Sequence, residues 1–473
     1  MSKKIAIIGA GSIVFSTTLI NDLLQTKSLD GATIVLMGPT MEKLERVTFF
    51  TQKIIDKNNL NFKVYPTTDR REALDGADYV LAVFQIEGIE GYRLDHEIPL
   101  KYGIKQCIGQ CVGPGGVMRA LRTIPVMVDI LKDMEELCPN ALLMNYVNPM
   151  ASLSIAMGKV SKVNFIGLCH GVQTTLDLIA GFVGLKKEEI DFLAAGINHM
   201  TWFLKLEKDG KDLYPILREN IEKPEYYLAE KVRCEVMRQF GYFMTESSGH
   251  LSDYLSWFRS SDAAMEMYCD QPGFGGETGA GYVAMNIIAN KYQDKDFLTL
   301  ESGDLEPRSK EYCSYIIDAI ETGVPFEFSG NVVNKNNISN LPDGSCVEVP
   351  VYADKLGIHP LCIGDLPSQL AALNNTNIAV QMLAAEAALT GDPELAVAAI
   401  AVDPYTSAVC TLKEIRDMTI ELFEAHEAFL PQFEGRKPKA CPTIIIPEGT
   451  SPAETPLDPA LSIVHRFGKL ITG

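Results

Sequence analysis

Residues 5–12, Ile5-Ala6-Ile7-Ile8-Gly9-Ala10-Gly11-Ser12, decide the fold of this chain. The four apolar residues predict a buried strand that ends in a glycine turn and passes directly into a helix reaching Leu24. Glycines in such a turn let a pyrophosphate approach the N-terminus of the helix. We therefore predict a dinucleotide site at this turn, and its residues are Gly9, Gly11, Ser12 and Ile13.

Further apolar runs follow at the spacing of alternating strands and helices. Strands are predicted at residues 33–37, 78–84, 141–147 and 164–168, with helices at 41–57 and 125–137. Continuous apolar strands are typical of a parallel sheet that is buried on both faces. The order predicts an α/β fold whose N-terminal domain is a Rossmann-like, doubly wound parallel sheet, similar in architecture to lactate and malate dehydrogenases.

After about residue 195 the pattern changes to longer helices with short strands between them. Helices are predicted at residues 225–240, 309–322, 377–390 and 407–429, and a strand at 346–349. This pattern indicates a second domain of mixed α/β (α+β) type. We predict domain boundaries of 1–195 for the dinucleotide-binding domain, 196–435 for the second domain and 436–473 for a C-terminal arm.

The composition restricts the partners and the compartment of the protein. The chain has 473 residues and a formal net charge of −19, which argues against nucleic acid and anionic membranes because both attract a basic face. It has neither a run of about 20 apolar residues for a membrane helix nor the pattern of a signal peptide. Eleven cysteines without a framework spacing are typical of free thiols in a reducing compartment. We expect a cytoplasmic protein.

The second predicted strand lacks the acid that usually follows it in dinucleotide-binding domains. Such an acid binds the ribose hydroxyls of the cofactor, but Met37 is followed here by Gly38, Pro39 and Thr40. Three interpretations stay open: Thr40 or the backbone holds the ribose, the cofactor binds weakly, or the ribose carries a 2′-phosphate.

Several polar residues with metal-binding or substrate-binding chemistry follow predicted strands. Cys169 comes directly after the strand at 164–168, and His199 follows thirty residues later beside an asparagine. Ligands of open α/β sheets bind at the carboxyl ends of the strands, where a thiol and an imidazole could hold a divalent cation. Asn148 ends another strand at the same edge, and its amide can reach a substrate hydroxyl. The alternative is a buried cysteine with an unrelated histidine.

Together these motifs resemble glycoside hydrolase family 4. The matching segments, in order, are residues 9–12, 113–116, 145–150, 169–172, 195–200, 241–248 and 340–342. They are most similar to the melibiase-type α-galactosidases and related α-glucosidases of the family. The resemblance extends from residue 3 to about residue 430, and seven motifs in one order across two domains are specific.

The resemblance implies hydrolysis of α-glycosidic bonds by a redox-elimination route that needs NAD and Mn²⁺ or another divalent metal. NAD removes hydride from C3 of the sugar, a tyrosine removes the C2 proton, and the bond at C1 then breaks by elimination. By motif, Cys169 and His199 are the metal ligands and Asn148 contacts the substrate. Tyr254 matches the base, and His170 occupies the proton-donor position. The family also implies a homo-oligomer, a dimer or a tetramer.

Two positions depart from the family pattern. The family commonly has an acid before the Gly-Pro-Gly-Gly turn, and Gln110 occupies that place here as a candidate substrate contact. Gly171 follows the Cys-His pair as it does in α-glucuronidases, while the remaining motifs are melibiase-like. We therefore expect a neutral α-galactoside or α-glucoside first and an α-glucuronide second.

Two other classes of protein share part of this pattern. A plain sugar dehydrogenase would produce NADH, whereas an enzyme of this family returns its hydride to the sugar. A non-catalytic sugar sensor would bind ligand without turnover, and Gln110 and Gly38 favour that alternative. Assays of hydrolysis and of net NADH distinguish the three.

Overall fold

The computed structural model describes residues 2–11, 13–293, 302–456 and 458–471 of the chain. Residues 1–439 form one compact unit, and residues 440–473 form a second. Within the described ranges, the helices lack the combined length and apolarity that crossing a bilayer requires.

Six parallel strands form the first half of a single large sheet. They are β1 (Lys4–Ile8), β2 (Thr33–Met37), β3 (Lys63–Thr67), β4 (Tyr79–Ala82), β5 (Leu142–Asn145) and β6 (Phe165–Leu168). Their order across the sheet is β3-β2-β1-β4-β5-β6, and each neighbouring pair is parallel. This is the strand order of a Rossmann fold, which confirms the predicted fold of the N-terminal part.

The later strands extend the same sheet in antiparallel pairs. They are β7 (Asp191–Ile197), β8 (Met200–Lys208), β9 (Lys211–Asp212), β10 (Phe326–Val333), β11 (Cys346–Asp354) and β12 (Gly357–Pro360). Strand β10 pairs with β6, and β11, β7, β8 and β9 follow it in space, while β12 pairs with β11. The mixed second half agrees with the expected α/β (α+β) class. Residue 195 lies inside β7, within this common sheet.

Nineteen helices are described around the sheet and in the C-terminal segment. They are α1 (Ile13–Leu24), α2 (Met41–Lys57), α3 (Arg70–Leu74), α4 (Gly88–Lys101), α5 (Gly113–Leu137), α6 (Met150–Val160), α7 (Gly171–Val183), α8 (Tyr214–Ile221), α9 (Pro224–Ala229), α10 (Lys231–Phe240), α11 (Ser248–Ser252), α12 (Asp262–Tyr268), α13 (Ala280–Gln293), α14 (Cys313–Thr322), α15 (Ser368–Thr390), α16 (Pro393–Ala401), α17 (Pro404–Val409), α18 (Leu412–Ala425) and α19 (Pro459–Ile471).

Several predicted helices differ from the observed ones in their bounds or continuity. The helix predicted at 125–137 begins earlier, at Gly113, because a proline in the first turn suits a helix start. The predicted helix at 407–429 is divided, since Thr411 and Glu414 form a capping box that begins α18. The predicted helix at 225–240 breaks at Glu230 into α9 and α10.

The parallel strands are buried on both faces, as their apolar sequences predict. In β1, Ile5 and Ile7 belong to one apolar cluster, and Ala6 and Ile8 belong to another on the opposite face. Side chains of a strand alternate between faces, so a fully apolar strand requires helices on both sides. Because these strands are parallel, the loops that follow β1, β2, β4, β5 and β6 lie at one edge of the sheet.

Candidate active site

A cavity of about 560 Å³ lies at the carboxyl ends of the parallel strands. Gly9 and Gly11 line it, together with residues that follow β2, β4 and β5. Gly9 has φ +96°, and a Cβ there would lie 2.6 Å from the Phe84 backbone, so glycine is required at this position. Ser12 lies outside the described residues, and the side chain of Ile13, which begins α1, does as well.

The cavity suits a ligand that carries phosphates. Arg119 lines it and is buried, and its Nε donates to the Asn148 carbonyl at 3.1 Å. Among the described residues, Arg119 Nη1 has no hydrogen-bond partner although it is buried. A buried cationic donor without an acceptor is costly unless a ligand supplies one. The glycine turn and this guanidinium therefore fit a dinucleotide.

Three side chains with metal-binding atoms meet beyond the end of β6. The Cys169 thiol, the His199 imidazole and the Glu246 carboxylate offer atoms that all lie within 4.8 Å of one another. Cys169 Sγ is 4.0 Å from Glu246 Oε1, and His199 Nε2 is 3.9 Å from the same oxygen. A thiolate, an imidazole and a carboxylate together suit a divalent transition metal. The predicted pair Cys169 and His199 is thus joined by Glu246, to which the sequence alone assigned no role.

The backbone at this cluster is held in an uncommon conformation. His199 has φ +66° and Glu246 has φ +72°, both in the left-handed region that costs a residue with a side chain about 1–3 kcal/mol. Gly171 lies beside them, and a Cβ at that position would collide with Glu246 Oε1. Strain of this kind persists only where the surroundings fix it, so the fold holds these two side chains in place.

Tyr254 joins the cluster through His199. Its hydroxyl lies 3.0 Å from His199 Nδ1, and only 1% of the residue is exposed. Burial raises the pKa of Tyr254 well above its usual value, and nearby Cys111 and Glu246 raise it further. Without a cation the phenol is therefore firmly protonated.

The loop before α5 is attached to the residue next to Tyr254. The Asp253 carboxylate accepts hydrogen bonds from the backbone amides of Cys107 at 2.8 Å, Ile108 at 2.8 Å and Gly109 at 3.1 Å. These contacts place the segment that contains Gln110 and Cys111 against the second half of the chain.

A second group of donors surrounds the same histidine. Cys111, His199 and His250 offer atoms within 4.8 Å of one another, and His250 Nδ1 lies 3.3 Å from Glu246 Oε2. Burial alone would raise the pKa of the Cys111 thiol, but His199 and His250 outweigh it and lower that pKa to about 6. Burial alone would lower the pKa of His250, but Cys111 and Glu246 raise it to about 10. The Cys111 thiol and the His250 imidazole therefore favour each other's charged forms.

The carboxylate of Glu246 is held ionised by its neighbours. Burial acts to raise its pKa, but the nearby imidazoles of His199, His250 and His170 hold that pKa well below its usual range. Glu348 of β11 lies close by and accepts a hydrogen bond from Thr201 Oγ1 at 2.7 Å. Burial raises the pKa of Glu348 to about 7.

The sequence did not identify Glu246, His250, Glu348 and Cys111 as site residues. Glu246 and His250 lie within or next to a segment that matches the family pattern, and Cys111 lies just before the Gly-Pro-Gly-Gly turn. Their proximity to His199 depends on contacts between distant parts of the chain. The spacing of Glu246 and His250, two metal-binding side chains four residues apart, is a sequence signal that could have identified them.

The remaining predicted residues are Asn148, His170 and Gln110. Asn148 lines the cavity, and its side-chain oxygen accepts from the Met150 amide at 3.3 Å. The His170 side chain is 60% exposed and pairs with Glu311 at 3.4 Å, which raises the pKa of His170. Gln110 lies beside the hydroxyl of Tyr92.

Sequence comparison assigns the chain to a family. The model described as Family 4 glycosyl hydrolase matches residues 4–185, and the model of the Family 4 glycosyl hydrolase C-terminal domain matches residues 194–406. The chain belongs to family 4 of the glycosyl hydrolases. The resemblance drawn from the seven motifs is therefore confirmed.

Relatives and solved structures agree with this assignment along most of the chain. An alpha-galactosidase of Bacillus subtilis is 40% identical over 439 residues, which cover 91% of this chain and 100% of that protein. An alpha-galactosidase of Rhizobium meliloti is 37% identical over 443 residues, which cover 91% of this family 4 chain and 90% of that protein. A 6-phospho-alpha-glucosidase from gut microorganisms, solved in complex with NAD and Mn²⁺, superposes with a TM-score of 0.76 at 18% identity. The match covers 93% of this chain and 100% of that one. That last likeness confirms the fold.

Proposed function

We propose that this family 4 enzyme is an NAD- and divalent-metal-dependent α-glycosidase that acts on α-galactosides, with α-glucosides as the next class of substrate. The observation that carries the proposal is the contact between Tyr254 and His199, whose other ring nitrogen faces Cys169 and Glu246. The two alpha-galactosidases at 40% and 37% identity support the choice of sugar. The NAD and Mn²⁺ in the gut 6-phospho-alpha-glucosidase support the choice of cofactors.

Cys169, His199 and Glu246 would hold the metal. When bound, the nicotinamide supplies a hydride acceptor for the sugar and the metal supplies charge stabilisation for an enolate. The thiolate and carboxylate ligands would leave further positions for sugar oxygens. A ligand set that contains a thiolate is easily oxidised, so activity needs a thiol reductant.

His199 fixes the protonation pattern next to Tyr254. If Nε2 of His199 is the ligand atom, then Nδ1 carries the ring proton and donates it as a hydrogen bond to the Tyr254 oxygen. That hydrogen bond favours the phenolate, which can then remove the proton from C2 of the sugar. Burial in this site excludes water from the phenolate and keeps the proton transfer within the complex.

Two further histidines have supporting roles in this proposal. His250 holds Glu246 through the 3.3 Å contact, so it orients a ligand carboxylate. His170 lies at the exposed rim, where it can return a proton to the leaving group through solvent. Asn148 lines the cofactor cavity at the end of β5 and supports binding of the sugar beside the cofactor.

The α-glucuronide alternative has less support from the site. Gly171 suggested it, but a Cβ at Gly171 would collide with Glu246 Oε1. Glycine at this position therefore has a packing reason that does not depend on the sugar.

The test is hydrolysis of nitrophenyl α-galactoside, α-glucoside and α-glucuronide in the presence of NAD⁺, Mn²⁺ and a thiol, followed by omission of each. We expect cleavage of the α-galactoside that disappears without cofactor or metal. Cleavage that needs neither would refute the mechanism. Net NADH formation with sugar would identify a dehydrogenase, and sugar binding without cleavage or NADH would identify a sensor.

Three further expectations belong to this proposal. The enzyme is cytoplasmic, which its eleven free thiols support. It is a homo-oligomer, which light scattering of the purified protein will test. Residues 1–195 bind the cofactor and also supply Cys169 to the metal, residues 196–435 supply the other metal ligands and the base that acts on the substrate, and residues 436–473 are an arm without chemistry.

A further inference from the structure

We propose that the ribose end of the cofactor cavity accepts a 2′-phosphate, so that this enzyme binds NADP⁺ more tightly than NAD⁺. The inference rests on the proposed function in one respect, namely that the cavity holds a nicotinamide dinucleotide. It concerns which dinucleotide binds, and binding is measured without a glycoside.

The end of β2 lacks the group that selects NAD⁺. In Rossmann folds a carboxylate at this point binds the ribose hydroxyls, and it repels a 2′-phosphate by charge. Here β2 ends at Met37, and Gly38, Pro39 and Thr40 line the cavity in its place. Thr40 is the N-cap of α2, but its side chain makes no capping hydrogen bond.

The charges that line the cavity are all of one sign. Lys43, Arg46 and Arg119 line it, and across the described part of the chain no aspartate or glutamate does. Arg119 lies at the end of β5 through its bond to Asn148, while Lys43 and Arg46 lie at the β2 side. Two cations therefore face the region of the ribose, where NAD⁺ carries only hydroxyl groups.

Lys43 and Arg46 are placed to act together. They lie three residues apart at the start of α2, so they project from the same face of the helix. A Cβ built on Gly11 would lie 3.3 Å from Lys43 Cβ, which places the lysine directly over the phosphate-binding turn. The Arg46 side chain is only 17% exposed and pairs with Glu42 at 3.2 Å. Glu42 itself is mostly exposed and does not line the cavity.

The chemistry of these side chains fits a phosphate monoester. A guanidinium binds phosphate oxygens in a planar, two-pronged geometry, and an ammonium adds a point charge. We expect NADP⁺ to bind at least about tenfold more tightly than NAD⁺, a ratio within reach of two charge-assisted contacts.

The experiment measures the Kd of NADP⁺ and NAD⁺ for the full chain by calorimetry, with adenosine 2′,5′-bisphosphate and AMP as probes without nicotinamide. In the wild-type protein NADP⁺ and the bisphosphate should bind more tightly than NAD⁺ and AMP. Lys43→Ala should weaken NADP⁺ more than NAD⁺, because only NADP⁺ carries the 2′-phosphate. Lys57→Ala removes a lysine from the same helix outside the cavity and should change neither Kd.

A carboxylate can also be introduced at the position that lacks it. Gly38 does not have a left-handed φ, and a Cβ there would make its closest contact with the end of the Leu44 side chain, at 3.3 Å. Gly38→Asp should therefore fold, which circular dichroism and a melting curve will check. It should reverse the preference, with weaker NADP⁺ and tighter NAD⁺.

Equal or tighter binding of NAD⁺ by the wild-type protein would overturn the inference, and so would failure of Lys43→Ala to affect NADP⁺. Cleavage of the α-galactoside together with tighter binding of NAD⁺ would support the proposed function and overturn the NADP⁺ preference. Tight NADP⁺ binding without cleavage of any glycoside would support the NADP⁺ preference and overturn the proposed function. Binding of neither dinucleotide would overturn both.

Discussion

At the scale of single residues, Tyr254 combines deep burial with a contact to a metal-binding histidine. Its oxygen lies beside His199, and burial keeps it protonated until a cation is present. In the proposed mechanism the base and the metal are therefore coupled, since the metal ion that binds substrate oxygens would also favour the phenolate that removes the C2 proton.

Replacement of that hydroxyl tests its role as base. Tyr254→Phe should lower kcat for nitrophenyl α-galactoside by about 10²–10⁴-fold, the usual contribution of a general base, because the ring remains but the proton acceptor is lost. The Kd of the dinucleotide should not change. Tyr242→Phe is the matched control, since Tyr242 packs against Tyr214 outside the cluster. A kcat for Tyr254→Phe within threefold or so of the wild type would assign the base to another residue.

Cys111 is a residue to which the sequence assigned no role, although its surroundings change the acidity of its thiol. Its thiol has a pKa of about 6 beside His199 and His250, whereas burial raises the pKa of Cys169 well above its usual value. In the metal-free protein we therefore expect Cys111, rather than Cys169, to be a thiolate at neutral pH.

The ultraviolet absorbance of thiolate measures this directly. The difference in absorbance between the metal-free wild-type protein and Cys111→Ala should rise with a midpoint near pH 6. The signal is absent below that pH because the thiol is then protonated, and it is complete above it. Cys234→Ala provides the control, because burial raises the pKa of that thiol to about 12. A midpoint near the ordinary thiol value would show that the two histidines do not stabilise the thiolate.

At the scale of secondary structure elements, a buried cluster of charges joins three helices behind the cofactor cavity. Arg122 of α5 makes a two-pronged pair with Asp95 of α4, and His426 at the end of α18 lies 2.6 Å from Glu87 and 3.3 Å from Asp95. Glu87 is the N-cap of α4 and has φ +64°. The cluster fixes the start of α4 beside Gly88, which lines the cavity.

Removal of His426 should destabilise this arrangement. His426→Gln leaves two buried carboxylates with one cation, which typically costs about 3–5 kcal/mol of unfolding free energy. Burial lowers the pKa of His426, but Asp95 and Glu87 raise it above the unfolded value near 6.5. The folded state therefore binds this proton more tightly, so the contribution is complete below about pH 6.5 and is lost as pH rises through the folded pKa.

Urea unfolding of the wild type and His426→Gln across this pH range provides the measurement. The difference in unfolding free energy should be largest in mild acid and decrease as the solution becomes alkaline. His359→Gln is a suitable control, because His359 pairs with Asp354 near the surface and 43% of its side chain is exposed. A difference that grows with pH would contradict the assignment of a buried imidazolium.

At the scale of the whole molecule, the first compact unit ends at Lys439. The backbone of Lys439 is held on both sides, since its amide donates to Glu394 at 2.8 Å and its carbonyl accepts from Arg416 at 2.9 Å. The C-terminal end of the unit that contains the cavity and the metal-binding cluster is therefore held by hydrogen bonds within that unit.

Deletion of residues 440–473 should leave that unit intact. The truncated protein should melt within about 2 °C of the full chain and keep its kcat, because residues 1–439 form a compact unit by themselves. A truncation that also removes residues 412–439 provides the contrast, since it takes away α18 and His426. Loss of cleavage on deletion of 440–473 alone would give the C-terminal segment a role in the site.

The sequence by itself determined the Rossmann half, its cofactor turn and the family. The strands and the turn follow from local patterns, namely apolar runs and a glycine turn before a helix start, and each is complete within about ten residues. The same reasoning placed Cys169 and Asn148 at one edge, because parallel strands share the direction of their carboxyl ends. His199 was paired with Cys169 by its ligand chemistry and by the family motif. The family follows from seven motifs in one order along the chain.

Only the tertiary structure decided how the metal-binding cluster is completed. Glu246, His250 and Cys111 reach His199 from segments that are far apart in the chain, and Asp253 attaches the loop before α5 to the neighbour of Tyr254. The single continuous sheet was equally inaccessible from sequence, because β10 pairs with β6 across about 160 residues and no local pattern specifies that edge. Pairing and proximity between distant segments depend on packing of the whole chain, which the spacing of residues along the sequence does not encode.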